Sequence, residues 1–175
     1  VAFTADNGGS LPHGQNNAPW RDGKQSHYDG GLRVPFVMRW PGHVRPGSHS
    51  DYAGLSFDLF PTLLDLAGRP KAEDLDAVSL LPIINGDAIT KPRDLYFVRR
   101  EGGAEYGGKS YEALIRGDWK LMRNNPFSPL ELYNLRDDPH EKNDLAASRK
   151  KIVNELSSAL RVHIQNGGAT AWQSR

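Results

Sequence analysis

Cysteine is missing from all 175 residues, so disulfides and thiolate metal sites are excluded, while the redox compartment stays open. No apolar run approaches the roughly 20 residues that a membrane helix needs. Nor is there an excess of charge of either sign. The 22 Lys and Arg and 21 Asp and Glu leave a net +1, without the electrostatic footprint that would attract nucleic acid or an anionic membrane surface. Internal repeats and low-complexity tracts are lacking too. What the chain does hold is 18 glycines and 12 prolines, placed mostly between apolar runs as in a loop-rich globular protein. Its length allows a buried core and one sizeable domain or a little more. The first residue is Val rather than Met, in a segment that already reads as strand; the expectation is the C-terminal part of a longer protein.

Two short β-rich runs, Val1–Ala5 and Pro35–Arg39, have the apolar character of strands in parallel, doubly covered sheets. Between them residues 8–31 form a polar loop too long for a simple connection, a length that usually means function or disorder. From Ser56 onward, Phe57, Leu59, Phe60, Leu63, Leu64, Leu66 and Ala67 recur at helical spacing. Asp58 or Ser56 can cap this helix, Pro61 sits in its first turn, and Gly68 followed by Pro70 ends it. Ordinary core packing is its expected role. Residues 69–94 are irregular, with an apolar island from Val78 to Ile84. Then Leu95–Arg100, Tyr111–Arg116, Trp119–Arg123 and Glu131–Asn134 read as short strands, with a hairpin turn at Gly117-Asp118, and predict a small antiparallel sheet. Ile152, Val153, Leu156, Leu160 and Ile164 line one face of a final helix that closes at Gly167-Gly168.

At the end of the first strand, Asp6-Asn7-Gly8-Gly9 places a carboxylate and an amide in an oxygen-rich corner. That suits a hard cation, and equally an Asx-type turn. The surrounding pattern is longer: Thr4-Ala5-Asp6-Asn7-Gly8, Gly23-Lys24, then Tyr28-Asp29-Gly30-Gly31-Leu32-Arg33-Val34-Pro35 and Arg39-Trp40-Pro41-Gly42. It continues through Asp58–Gly68, Trp119-Lys120-Leu121, Glu131–Leu135, Asp138-Pro139 and Glu141–Leu145. In order and spacing these motifs resemble the type I, formylglycine-dependent sulfatases of the alkaline-phosphatase-like superfamily, over nearly the whole chain.

The resemblance implies an α/β fold. The end of an alkaline-phosphatase-like mixed or parallel sheet, in residues 1–90 as the C-terminal part of the catalytic domain, would be followed by a small α+β subdomain, residues 91–175, with a four-stranded antiparallel sheet packed by a C-terminal helix. It implies a sulfuric ester hydrolase in which Asp6 and Asn7 are ligands of Ca²⁺, in preference to Mg²⁺. Lys24 would contact the sulfate and the leaving-group oxygen, as a flexible ammonium suits developing negative charge. Asp29 and Arg33 would fix the loop by an ion pair or hydrogen bonds. His13 and His27 are candidates for substrate contact, and Trp20, His27 and the Glu101–Gly108 loop for specificity; His43, His49, His140 and His163 read as surface residues. The partners implied are the missing N-terminal sulfatase domain and a sulfated small molecule or glycan, not nucleic acid or membrane, and the location is periplasmic or secreted.

Departures from the family pattern limit this. The nucleophile motif Cys/Ser-x-Pro-x-Arg is absent, so formylglycine lies outside this chain. Ser10-Leu11-Pro12 has Gly14 where the Arg belongs and follows the Asp-Asn pair instead of preceding it. Alone, the chain is expected to be inactive and to bind Ca²⁺ poorly, since such sites take about six to eight oxygens. Alternatives are a phosphonate or phosphate monoester hydrolase of the same superfamily, and a non-catalytic binding module.

Overall fold

The computed structural model describes residues 1–70, 73, 75–89, 92–100, 110–125 and 127–168. They fall into two compact units: Val1–Asp6 with Val34–Lys91, and Asn7–Arg33 with Pro92–Arg175. By contact, therefore, the long loop groups with the C-terminal residues, not with the strands that flank it.

In the first unit β1 (Ala2–Thr4) pairs with β2 (Phe36–Met38), Phe3 lying opposite Val37. The pairing is antiparallel, and Phe3 and Val37 are each about 60% exposed, so these strands do not fill a doubly covered parallel sheet here. A three-residue apolar run encodes extended backbone but not the direction of its partner. A turn of 3₁₀ helix, Ser56–Asp58, leads into α2 (Leu59–Leu66), and α3 spans Leu81–Asn85. The expected core packing of α2 is not observed. Phe57, Phe60 and Leu63 are exposed, and the buried side chains are Asp58 and Thr62. The Asp58 carboxylate accepts from the Leu55 N–H (2.7 Å) and the Val78 N–H (2.9 Å). The Thr62 hydroxyl donates to the Asp58 carbonyl (2.6 Å) and accepts from the Leu80 N–H (2.8 Å). Two polar side chains thus stitch the segment before α3 to the start of α2, satisfying backbone donors that would otherwise be orphaned.

In the second unit β3 (Asp94–Arg100), β4 (Ser110–Arg116), β5 (Trp119–Arg123) and β6 (Glu131–Asn134) form an antiparallel meander in chain order, as the turn signals predict. Gly117 takes φ +57° in the β4–β5 turn. α4 (Lys150–Gly168) covers one face, where Leu114, Leu121 and Leu132 pack with Leu156 and Leu160. Strand alternation sends the intervening residues to the other face. There Ala113, Met122 and Tyr133 pack with Tyr28 of the loop. The edge at Leu132 is closed by its own chain: the Asp144 carboxylate accepts its N–H (3.0 Å), and its carbonyl accepts from the Leu145 N–H (2.8 Å). The structure thus gives the mixed α/β architecture with its four-stranded sheet and terminal helix.

Candidate functional site

The loop from Asn7 to Arg33 has little regular structure: a 3₁₀ turn at Leu11–His13 and one helical turn, α1 (Asp29–Leu32). α1 is its buried hub. The Asp29 carboxylate pairs with Arg33 Nε (2.6 Å), the loop-fixing contact anticipated for these two residues. From β5, Lys120 Nζ reaches both Asp29 Oδ1 and Glu141 Oε1 at 2.7 Å. Glu141 Oε2 accepts the Asp29 backbone N–H, also at 2.7 Å. Lys120 and Glu141 are fully buried and Asp29 nearly so. Burial alone would raise the Asp29 pKa, but the charges and hydrogen bonds of Lys120 and Arg33 outweigh it and hold the carboxyl below its ordinary value. For Glu141 burial wins over Lys120, and the nearby Asp29 charge adds to it, so its pKa lies above the ordinary value.

A second grip lies beside the first. The Arg21 guanidinium sits 3.7 Å above the Tyr28 ring and donates to the Glu141 carbonyl (2.7 Å) and the Tyr133 hydroxyl (3.2 Å). Tyr28 and Tyr133 both donate to Glu131, at 2.6 and 2.5 Å. Burial and then Glu131 push the Tyr28 phenol up to about 12 and the Tyr133 phenol higher still. Both therefore remain protonated donors at neutral pH.

These anchors shape the loop that holds the candidate residues. The Gly8 N–H donates to the Gly31 carbonyl (3.0 Å), and the Lys24 N–H donates to the Gly9 carbonyl (2.9 Å). Asn17 clamps Gly9 from both sides, its amide accepting the Gly9 N–H (2.7 Å) and donating to the Gly9 carbonyl (2.8 Å). The backbone of Lys24 is thus bonded two residues beyond Asn7, and its side chain is exposed. Asn7 Nδ2 donates to the Gly8 carbonyl (2.8 Å), which commits the amide nitrogen and spares the oxygen. Asp6 is exposed, and the division between the two units falls between it and Asn7. A carboxylate and an amide oxygen fit Ca²⁺ in kind but not in number. Among the described residues no group of three or more His, Asp or Glu could hold a metal.

The two loop histidines have different surroundings. His13 is exposed and shares a 2.7 Å hydrogen bond with Ser10 Oγ. His27 is buried, its backbone N–H held by Asn124 Oδ1 (2.8 Å). Burial first, then the Lys120 charge, drops its pKa to about 4, so the imidazole is neutral at pH 7. It lines a cleft of about 390 Å³ with Gln25, Ser26, Leu32, Tyr96 and Arg99. Trp20 lies under the Arg33 guanidinium (4.3 Å to the ring) and against His140. The Glu101–Gly108 loop lies outside the described residues. His163, read from sequence as a surface residue, is half-buried: its Nε2 is 2.9 Å from Asp94 and its ring stacks on Tyr96.

Sequence reasoning assigned no role to Lys120 or Glu141, both charged and both without exposure. One signal was available: strand alternation sends Trp119 and Leu121 to one face and puts Lys120 on the other beside the apolar Met122.

Residues 17–166 match the family described as N-sulphoglucosamine sulphohydrolase, C-terminal. The N-acetylgalactosamine-6-sulfatase of Rattus norvegicus is 40% identical over 69% of this chain and 22% of its own length. The N-acetylgalactosamine-6-O-sulfatase of Bacteroides thetaiotaomicron is 28% identical over 91% of the chain and 35% of its own. Among solved structures, Ps i-CgsB in complex with k-i-k-neocarrahexaose superposes with a TM-score of 0.79 at 32% identity, over 91% of this chain and 35% of that one. A phosphonate monoester hydrolase from Silicibacter pomeroyi, 22% identical at a TM-score of 0.62, shares the fold. The chain spans about a fifth to a third of the length of these curated relatives.

Proposed function

Because the chain belongs to the N-sulphoglucosamine sulphohydrolase C-terminal family, we propose that it is the C-terminal part of a sulfatase that hydrolyses sulfate monoesters, with a sulfated carbohydrate as substrate class. The observation that carries this reading is the backbone bond from Lys24 to Gly9, which ties the Lys24 backbone to the residue two places beyond Asn7 and leaves the Lys24 side chain exposed. In that enzyme Asp6 and Asn7 are oxygen ligands of a metal, Ca²⁺ by the kind of donor they offer. Bound there, the ion supplies polarisation of the sulfate ester. Lys24 neutralises charge on the sulfate and on the departing alcohol oxygen. His27, neutral and in a cleft, is the stronger of the two histidine candidates for substrate contact; His13 is held by Ser10 at an exposed turn.

The remaining ligands and the formylglycine nucleophile come from preceding sequence, with the periplasmic or secreted location the family implies. That same sequence covers the exposed Phe3, Val37, Phe57, Phe60 and Leu63. The reading is tested by sulfate release from aryl sulfates and sulfated sugars by the intact enzyme, beside a phosphonate ester. Lys24→Ala lowers sulfate release by roughly 10²–10³-fold, the scale for loss of one charge-stabilising group. Faster cleavage of the phosphonate ester would assign the protein to that branch instead. Titrated calorimetrically with Ca²⁺, this chain alone shows no tight site; tight binding would mean that its ligand set is complete and of another kind.

A further inference from the structure

We propose that Lys120 and Glu141 are positioning residues for Lys24: Lys120 from β5 and Glu141 from the loop after β6 grip the first turn of α1 and so set where the loop presents the Lys24 ammonium. The proposal rests on the sulfatase reading and extends it to residues that touch no substrate.

The loop's links run outward from α1. Lys120 and Glu141 hold the Asp29 carboxylate and the Asp29 N–H, each at 2.7 Å. The next N–H, of Gly30, donates to the Arg21 carbonyl (2.9 Å), and the Gly31 carbonyl accepts from Gly8 (3.0 Å). Packing along these links is tight. A Cβ on Gly30 would stand 2.2 Å from the Asp22 carbonyl oxygen and 2.4 Å from that of Arg21. Arg21 is itself tied to the Glu141 carbonyl. Gly9, bonded to Lys24, follows directly on Gly8. A shift of Asp29 therefore reaches both the Arg21–Lys24 strip and the Gly8–Gly9 backbone with little slack to absorb it.

Stability alone gives a weak account of the buried charges. Desolvating an ammonium and two carboxylates often costs as much as their attraction returns, and a packed apolar cluster can serve as well. The same face accommodates Ala113 and Met122 without exposing them. What charge-assisted hydrogen bonds add is direction, a fixed place for α1 against the sheet.

The test compares intact wild-type enzyme with Lys120→Met, Glu141→Gln, Lys24→Ala and the double variant Lys24→Ala/Lys120→Met. kcat and KM are measured for 4-nitrophenyl sulfate, whose phenolate leaves readily, and for phenyl sulfate, whose phenolate needs help. A displaced Lys24 costs the poorer leaving group more. Lys120→Met lowers kcat on the order of 10²-fold for phenyl sulfate, the scale of a misplaced group, and less than about tenfold for 4-nitrophenyl sulfate. In the Lys24→Ala background it leaves the ratio of the two rates unchanged, because the pair acts as one unit. Equal losses on both esters, or the same change of ratio without Lys24, would overturn the proposal and leave Lys120 a structural residue only. Glu141→Gln, of the same shape with one charge fewer, carries the comparison if Lys120→Met does not fold. A wild type that releases sulfate from neither ester and from no sulfated sugar would fail the sulfatase reading itself, and the proposal with it.

Discussion

In the second unit Leu114, Leu121 and Leu132 disappear beneath α4, whereas in the first Phe57, Phe60 and Leu63 stand out from α2 and the 3₁₀ turn before it, while Asp58 and Thr62 are the side chains that are buried. Both helices have apolar residues at helical spacing. The difference shows that such spacing specifies that a stripe exists, not that the same chain covers it. Where α4 finds three strands to lie on, burial holds the element. At the start of α2, Asp58 and Thr62 make four hydrogen bonds, two of which hold the Val78 and Leu80 N–H groups of the segment before α3.

The largest expected effect tests the buried side of this contrast. Leu121→Ala removes a side chain with no exposure and costs about 2–5 kcal/mol, read as a lower urea midpoint at unchanged slope. Acid tests the same unit by another route. The folded His27 has a pKa of about 4 against an ordinary 6.5, so as pH falls the unfolded chain takes up its proton first. Stability therefore drops between pH 6.5 and about 4, by ~3 kcal/mol in all. Glu141, raised in the folded state, has the opposite sign and favours the acid side of its own window. Comparing urea unfolding at pH 7 and 4.5 in wild type and His27→Gln isolates the histidine, and an unchanged dependence in the variant would count against its burial.

In the first unit the polar stitch should outweigh the apolar stripe. Asp58→Ala leaves the Leu55 and Val78 N–H groups without their carboxylate and costs ~1.5–3 kcal/mol by the same measurement. Leu63→Ala, at an exposed position, stays within about 0.5 kcal/mol. If Leu63→Ala costs as much as Leu121→Ala, the contrast between the units is wrong.

The parts of the fold legible in the sequence are those fixed by neighbours. The four strands, the Gly117 turn and α4 follow from alternation, turn chemistry and helical spacing within short windows. Asp29 with Arg33 is equally local, one helical turn apart. The antiparallel pairing of β1 with β2 was not legible, since three extended residues fit either direction. Nor was the hub: Lys120 meets Asp29 across 91 positions and Asp29 meets Glu141 across 112, and no periodicity links such distances. Lys24 was singled out through its surrounding motif, and its bond to Gly9 became visible only in three dimensions.

The close approach of Gly8 and Gly30 has a consequence for how this loop can diversify. A Cβ on Gly8 would fall 1.8 Å from the Gly30 carbonyl oxygen, so no side chain at all is admissible there. Gly14, by contrast, has open space around it and is held to glycine only by its φ of +76°. A saturation scan would meet a wall at the first position and a gentle slope at the second. Novelty can enter the loop at its solvent-facing turn, while the stretch beside Asn7 admits almost none.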